Sequence, residues 1–196
     1  MFVPFKNYYQ EKYPHLNYYF KLPGGSSAIM YSIPANMLVG MYKARMGTAP
    51  ESFFDCGAAS GELLNQAEKL GMKAKGIDIL KYPGAKGNVE IVHLLKYEKI
   101  IDADMAYCNG TLTYFNEENI GDALTKLGEA KMLIAIHNTA EDVEKSLKRY
   151  ADDLTHGKPR LIKPQNWWMS RLTDAGFSVD YDDVCGCFCA ISKRQH

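Results

Sequence analysis

Near Ser52 the rhythm of apolar and polar positions changes. A short apolar run, Ser52 to Cys56, leads into Gly57-Ala58-Ala59-Ser60-Gly61, and Glu62 to Leu70 then places apolar residues at Leu63, Leu64, Ala67 and Leu70 before Gly71. That order predicts a strand, a loop, a helix and a glycine cap. Lys73 to Asp78 reads as a second short strand, which completes a βαβ unit with a right-handed crossover. Val89 to Leu94 reads as a third strand. Its preceding helix is replaced by the short connection Lys81 to Asn88, which is glycine-rich and contains Pro83.

The alternation continues downstream. Asp104 to Cys108 and Lys131 to Ile136 predict two more strands, separated by a helix over Glu117 to Leu127 with Ile120, Ala123, Leu124 and Leu127 on one face. Ala140 to Leu154 is helical by Val143, Leu147, Tyr150 and Leu154, and Gly157 and Pro159 end it. Asn166 is placed to cap a helix from Trp167 to Ala175, and strands follow at Phe177 to Tyr181 and Cys187 to Ser192. Strands alternating with helices predict an α/β fold with a largely parallel sheet covered on both faces. Upstream, Ala35 to Arg45 has Met37, Leu38, Met41 and Tyr42 at helical spacing and stops before Gly47. The first twenty residues hold eight aromatics, Phe2, Phe5, Tyr8, Tyr9, Tyr13, Tyr18, Tyr19 and Phe20, with no period of 2 or 3.6. They predict an extension packed on something, hinged at Pro23-Gly24-Gly25. The expected organisation is an N-terminal extension and helix over 1–50, acting as a lid or recognition element, and a cofactor-binding domain over 51–196.

Length and composition agree with a single soluble core. The chain has 196 residues, 46% hydrophobic and 23% charged, close to the globular average. No run approaches the ~20 apolar residues of a membrane-spanning helix, and the start lacks the basic flank and apolar run of a secretory signal. The expected address is cytoplasmic, with no membrane partner. Lys and Arg total 23 against 23 Asp and Glu, which removes the whole-molecule attraction that a nucleic-acid binder draws on. The charge is uneven: residues 1–50 carry Lys6, Lys12, Lys21, Lys43 and Arg45 against Glu11 alone, a local +4. Five cysteines, an odd number with no C-x2-C spacing, predict neither a disulfide framework nor a zinc site. Cys185, Cys187 and Cys189 alternate, so a strand would carry all three on one face as small hydrophobes.

The loop Asp55 to Gly61 is the candidate centre of chemistry, because open α/β sheets bind ligands beyond the carboxyl ends of their strands. Gly57 permits a tight turn, Ala58 and Ala59 leave room for a ligand against the backbone, and Gly61 lets the next helix start close to the strand. Asp78 ends the second strand 17 residues beyond Gly61, where a carboxylate can accept both hydroxyls of a ribose. A nicotinamide fingerprint needs G-x-G-x-x-G, and here Ala59 and Glu62 stand at its second and third glycines; no phosphate-loop motif occurs in the chain.

These residues resemble the class I S-adenosylmethionine-dependent methyltransferases. Phe53 to Gly61 is similar to the family's acidic, glycine-bearing first motif, Gly76-Ile77-Asp78 to its ribose-binding motif, Asp102 to Asn109 to its fourth-strand motif, and Leu172 to Phe177 to its late helix-to-strand signature. The resemblance spans Ser52 to Lys193. It implies a three-layer, Rossmann-like sandwich with seven mostly parallel strands, the last antiparallel. It implies S-adenosylmethionine as cofactor and S-adenosylhomocysteine as product. Asp55 and Gly57 would lie near the methionine part, Asp78 on the ribose, His93 or its neighbour Val92 beside the adenine, and Asn109 to Gly110 at the reacting end, with Ala58, Ala59, Gly61 and Ile79 also among the cofactor-binding residues. Ala59 departs from the family's usual glycine.

Methyl transfer from a sulfonium is an in-line displacement, so alignment and exclusion of water matter more than a fixed catalytic group. Where the acceptor must lose a proton, His137 and Tyr114 are the candidate bases, with His93 also on the strand-end side. The acceptor is unidentified. After the fourth strand the chain reads Cys108-Asn109-Gly110-Thr111, without the D/N-P-P-Y/F segment of adenine and amide methylases, and Cys108 follows Tyr107 where cytosine methylases have proline. A small-molecule acceptor is favoured over nucleic acid or protein recognised through the basic, aromatic N-terminus. An inactive cofactor-binding module and a nucleotide enzyme of other chemistry, such as a dehydrogenase, are the competing classes.

Overall fold

The computed structural model describes residues 33–82, 84–136, 139–140, 161–183 and 186–194. Readings that fall on the aromatic segment 1–32, on His137, on the helix expected from Ala140 to Leu154 and on Cys185 lie outside the described residues, apart from the start of that helix at Ala140. The chain divides into two compact units, 1–93 and 94–196. Among the described residues, no helix is long and apolar enough to cross a membrane.

In the first unit α1 (Ala35–Met46) buries Ala35, Leu38, Met41 and Tyr42 and is closed by Gly47, whose left-handed backbone returns its N–H to the Lys43 carbonyl. Strand β1 (Ser52–Cys56) pairs in parallel with β2 (Lys73–Asp78), with Asp55 opposite Gly76, and β2 pairs in parallel with β3 (Val89–Ile91). Between β1 and β2, α2 (Glu62–Lys69) buries Leu63, Leu64 and Ala67. Leu70, counted into that stripe from its spacing, is instead 51% exposed, because the helix closes there and turns through Gly71. Strand β3 is shorter than expected. Its partner β2 ends at Asp78, whose carbonyl takes the Val92 N–H as the last rung, and the chain then coils into a short 3-10 turn over Leu94–Lys96.

In the second unit β4 (Met105–Asn109) pairs in parallel with β5 (Met132–Ile136), β7 (Cys187–Ser192) runs antiparallel to β5, and β6 (Phe177–Asp182) runs antiparallel to β7. A second 3-10 turn, Thr111–Tyr114, follows β4. Helix α3 (Ile120–Leu127) turns the expected face inward, burying Ile120, Ala123, Leu124 and Leu127, but starts three residues late. Asn116 and Asn119 each accept the other's backbone N–H at 3.0 Å, which holds 116–119 as a turn. Helix α4 (Gln165–Asp174) starts earlier than expected: the Pro164 carbonyl takes the first N–H groups, and no side chain, Asn166 included, caps it. Cys187 and Cys189 do share one buried face, their sulfurs 4.0 Å apart.

The seven strands form one sheet in the order β3-β2-β1-β4-β5-β7-β6, parallel except for β7, with helices around it.

Candidate cofactor site

Where β1 ends, the backbone makes a tight turn. Gly57 adopts φ 93°, and the N–H groups of Gly57 and Ala58 both donate to the Ile77 carbonyl of β2, at 2.9 and 3.0 Å. The Gly61 N–H donates to Ala58, and Gly61, at φ 73°, starts α2. Ala59 is the sole non-glycine with positive φ among the described residues, at 49°. Its N–H donates to Asp78 Oδ2 at 2.8 Å, which holds the backbone in that left-handed turn.

Asp78 is thereby built into the loop. Its other oxygen, Oδ1, accepts the Leu80 N–H at 2.9 Å. Burial holds its pKa above the ordinary carboxylate value, a rise that the backbone donors of Leu80, Ala59 and Ile79 only partly offset. Asp55 is 4% exposed and its carboxyl is pushed up to about 8, first by burial and then by the charge of Asp78. The first unit therefore brings together Asp55, Gly57, Ala58, Ala59, Gly61 and Asp78, with Ile79 following at 40% exposure and Val92 tied to Asp78 through its backbone. His93 comes next, half-buried.

Sequence reasoning missed what fixes this loop from outside. The Lys86 N–H donates to the Ser60 carbonyl at 2.7 Å, and a Cβ on Gly61 would lie 1.8 Å from the Lys86 carbonyl oxygen. Gly61 is thus needed for the β2–β3 connection to cross it, beyond the close helix start expected of it. The signal available was the pair Gly84 and Gly87, both at positive φ in that connection.

In the second unit Asn109 ends β4, and Gly110, at φ 70°, donates to the Ile136 carbonyl at 2.7 Å. The Thr113 hydroxyl donates to the Gly110 carbonyl at 2.7 Å, and the Thr113 carbonyl accepts the Leu161 N–H. Tyr114 is 47% exposed on this turn.

No family model and no curated protein matches the sequence. Solved structures do match the fold. The 1,6-didemethyltoxoflavin N1-methyltransferase of Burkholderia thailandensis, solved with 1,6-didemethyltoxoflavin and S-adenosylhomocysteine, aligns over 99% of this chain and 92% of its own at 12% identity and a TM-score of 0.63. The fold is that of the class I methyltransferases. Two further methyltransferases share it. The magnesium protoporphyrin IX methyltransferase of Synechocystis PCC 6803, with S-adenosylhomocysteine bound, covers 81% of this chain and 82% of its own at 16% identity and a TM-score of 0.60. Human N-acetylserotonin methyltransferase, in complex with S-adenosylmethionine, covers 97% of this chain and 59% of its own at 13% identity and a TM-score of 0.67. The acceptors named for these three proteins differ, so the methyltransferase fold leaves this chain's acceptor open.

Proposed function

We propose that the chain is an S-adenosylmethionine-dependent methyltransferase acting on a small-molecule acceptor. One observation carries the choice of cofactor. Four N–H groups of the loop, those of Gly57, Ala58, Ala59 and Gly61, already have acceptors inside the protein, and the loop ends against two carboxyls, Asp55 and Asp78. A pyrophosphate needs outward N–H groups to receive its charge. A cofactor held through its ribose by Asp78, with no pyrophosphate to seat on outward N–H groups, suits such a loop better than a dinucleotide does. Bound S-adenosylmethionine supplies a methyl group already activated on sulfur.

The chain's own residues then bind and orient. Asp78, both oxygens aimed by backbone donors, keeps further lone pairs for the ribose hydroxyls. Ile79 and the Val92–His93 pair are assigned to the adenine, and the small Ala58 and Ala59 to close approach by the methionine part. In the second unit Asn109 and Gly110 are assigned to the reacting end and Tyr114 to the acceptor, as a base or a stacking surface. His137 is the other candidate base, and residues 1–50 are proposed as a lid or substrate-recognition element. A small acceptor is supported by zero net charge, which offers no steering toward nucleic acid.

Calorimetry with S-adenosylmethionine, S-adenosylhomocysteine and NAD tests the cofactor: binding of NAD alone refutes the proposal. Incubation of a cell extract with methyl-labelled S-adenosylmethionine tests the acceptor class. Label in small molecules supports the reading, and label in nucleic acid or protein overturns that part of it.

A further inference from the structure

Strand β7 carries two thiols that lean toward one another. Residues two apart on a strand share a face with their Cα atoms ~6.6 Å apart, yet the Cys187 and Cys189 sulfurs stand 4.0 Å apart and share a weak S–H hydrogen bond. Both side chains therefore converge, which packing as two small hydrophobes does not require. The pair is buried, at 0% and 1% exposure, but lies one strand in from the rim of the sheet. Across the antiparallel ladder Asp182 of β6 stands opposite Cys187, and Asp180 stands opposite Cys189. Residues directly opposite each other occupy one face of a sheet, so each thiol shares its face with a carboxylate of the edge strand, and Asp180 is exposed there.

We propose that Cys187 and Cys189 form a binding site for one soft monovalent metal ion of the cuprous class, held between two thiolates. Sulfur ligands select soft ions. With metal–sulfur bonds of ~2.3 Å, two thiolates stand ~3.8 Å apart around a tetrahedral ion and ~4.6 Å apart across a linear one. The observed 4.0 Å lies between these values, so binding asks for little movement of either side chain. A closed zinc site takes four protein ligands, and among the described residues no group of three or more His, Cys, Asp or Glu is placed to hold an ion. A closed-shell monovalent ion is satisfied by two sulfurs. Binding breaks two S–H bonds, forms two sulfur–metal bonds and releases two protons to solvent, with no change of oxidation state. The ion enters at the β6 edge, where Asp180 and Asp182 draw a cation toward the thiols.

The test is anaerobic titration of the full chain with cuprous ion supplied as its bicinchoninate complex, whose colour falls as the protein takes up the metal. Uptake of one ion per chain is expected in the parent and in Cys108→Ala, which removes another buried thiol. That uptake is lost in Cys187→Ala and in Cys189→Ala. Should either variant fail to fold, X-ray absorption at the copper edge of the loaded parent decides: two sulfur neighbours are expected, with no nitrogen or oxygen. No uptake by the parent, uptake unchanged in the Cys187 and Cys189 variants, a third sulfur, or copper held through nitrogen or oxygen overturns the site. Each of these outcomes leaves the methyltransferase reading standing.

Discussion

Replacing Gly61 by alanine tests how the loop is held. The added Cβ would lie 1.8 Å from the Lys86 carbonyl oxygen and 2.9 Å from its carbon, both backbone atoms, so the β2–β3 connection must retreat by more than an ångström. Gly61 also sits at φ 73°, where an L side chain costs about 1–2 kcal/mol. Overpacking adds roughly 1–3 kcal/mol, for an expected loss of about 2–5 kcal/mol. Gly84→Ala supplies the control: its φ is 70°, but nothing lies within 4 Å of the added carbon, so only the backbone term of about 1–2 kcal/mol applies. Urea unfolding of both variants measures the difference. Cofactor affinity should fall in Gly61→Ala alone, since Ser60 and Gly61 cannot both keep their places once Lys86 moves. Equal destabilisation of the two variants would refute the crossing as what fixes the loop.

Three more outcomes are expected. Asp55 holds its proton in the folded protein up to about pH 8 but loses it near pH 4 when unfolded, so unfolding releases a proton between these values; the stabilisation present at low pH is lost as pH rises and levels off above 8, a change on the order of 5 kcal/mol for four units at 1.36 kcal/mol each. Unfolding free energies of the ligand-free parent and Asp55→Asn across that window check it, and parallel curves would count against the assignment. Asp78→Ala should weaken S-adenosylhomocysteine binding by roughly 5- to 150-fold, for ~1–3 kcal/mol of lost hydrogen bonding, and calorimetry showing unchanged affinity would remove Asp78 from the site. Ala59→Gly should stabilise the loop by up to about 1 kcal/mol, because φ 49° strains alanine and not glycine; a lowered melting temperature would contradict that.

Much of this architecture was readable because it rests on local chemistry. The run Ser52 to Cys56, the glycines beyond it and Asp78 at the end of the next strand mark the loop, and Asp78 does hold Ala59. The inward face of α3 follows directly from its apolar spacing. What was not readable is set by hydrogen bonds that apolar spacing does not mark. The end of β3 is set by where β2 stops hydrogen bonding, the exposed Leu70 by the cap of α2, and the early start of α4 by the Pro164 carbonyl. The Lys86 crossing joins backbone atoms of two loops and leaves no periodic mark, while the raised pKa of Asp55 needs burial, which a sequence motif does not measure.

The place of β7 has a consequence for how the chain is made. It is the last of the seven strands to be synthesised, yet it lies between β5 and β6. Met132 to Ala135 of β5, all fully buried in the finished sheet, pair with Phe188 to Ile191 of β7. Until those residues leave the ribosome, the nascent second unit presents an apolar strand with one side open, the arrangement most prone to pairing with a neighbouring chain. Ribosome stalling or premature termination just before Cys187 would therefore yield an aggregation-prone fragment rather than a shortened but folded protein.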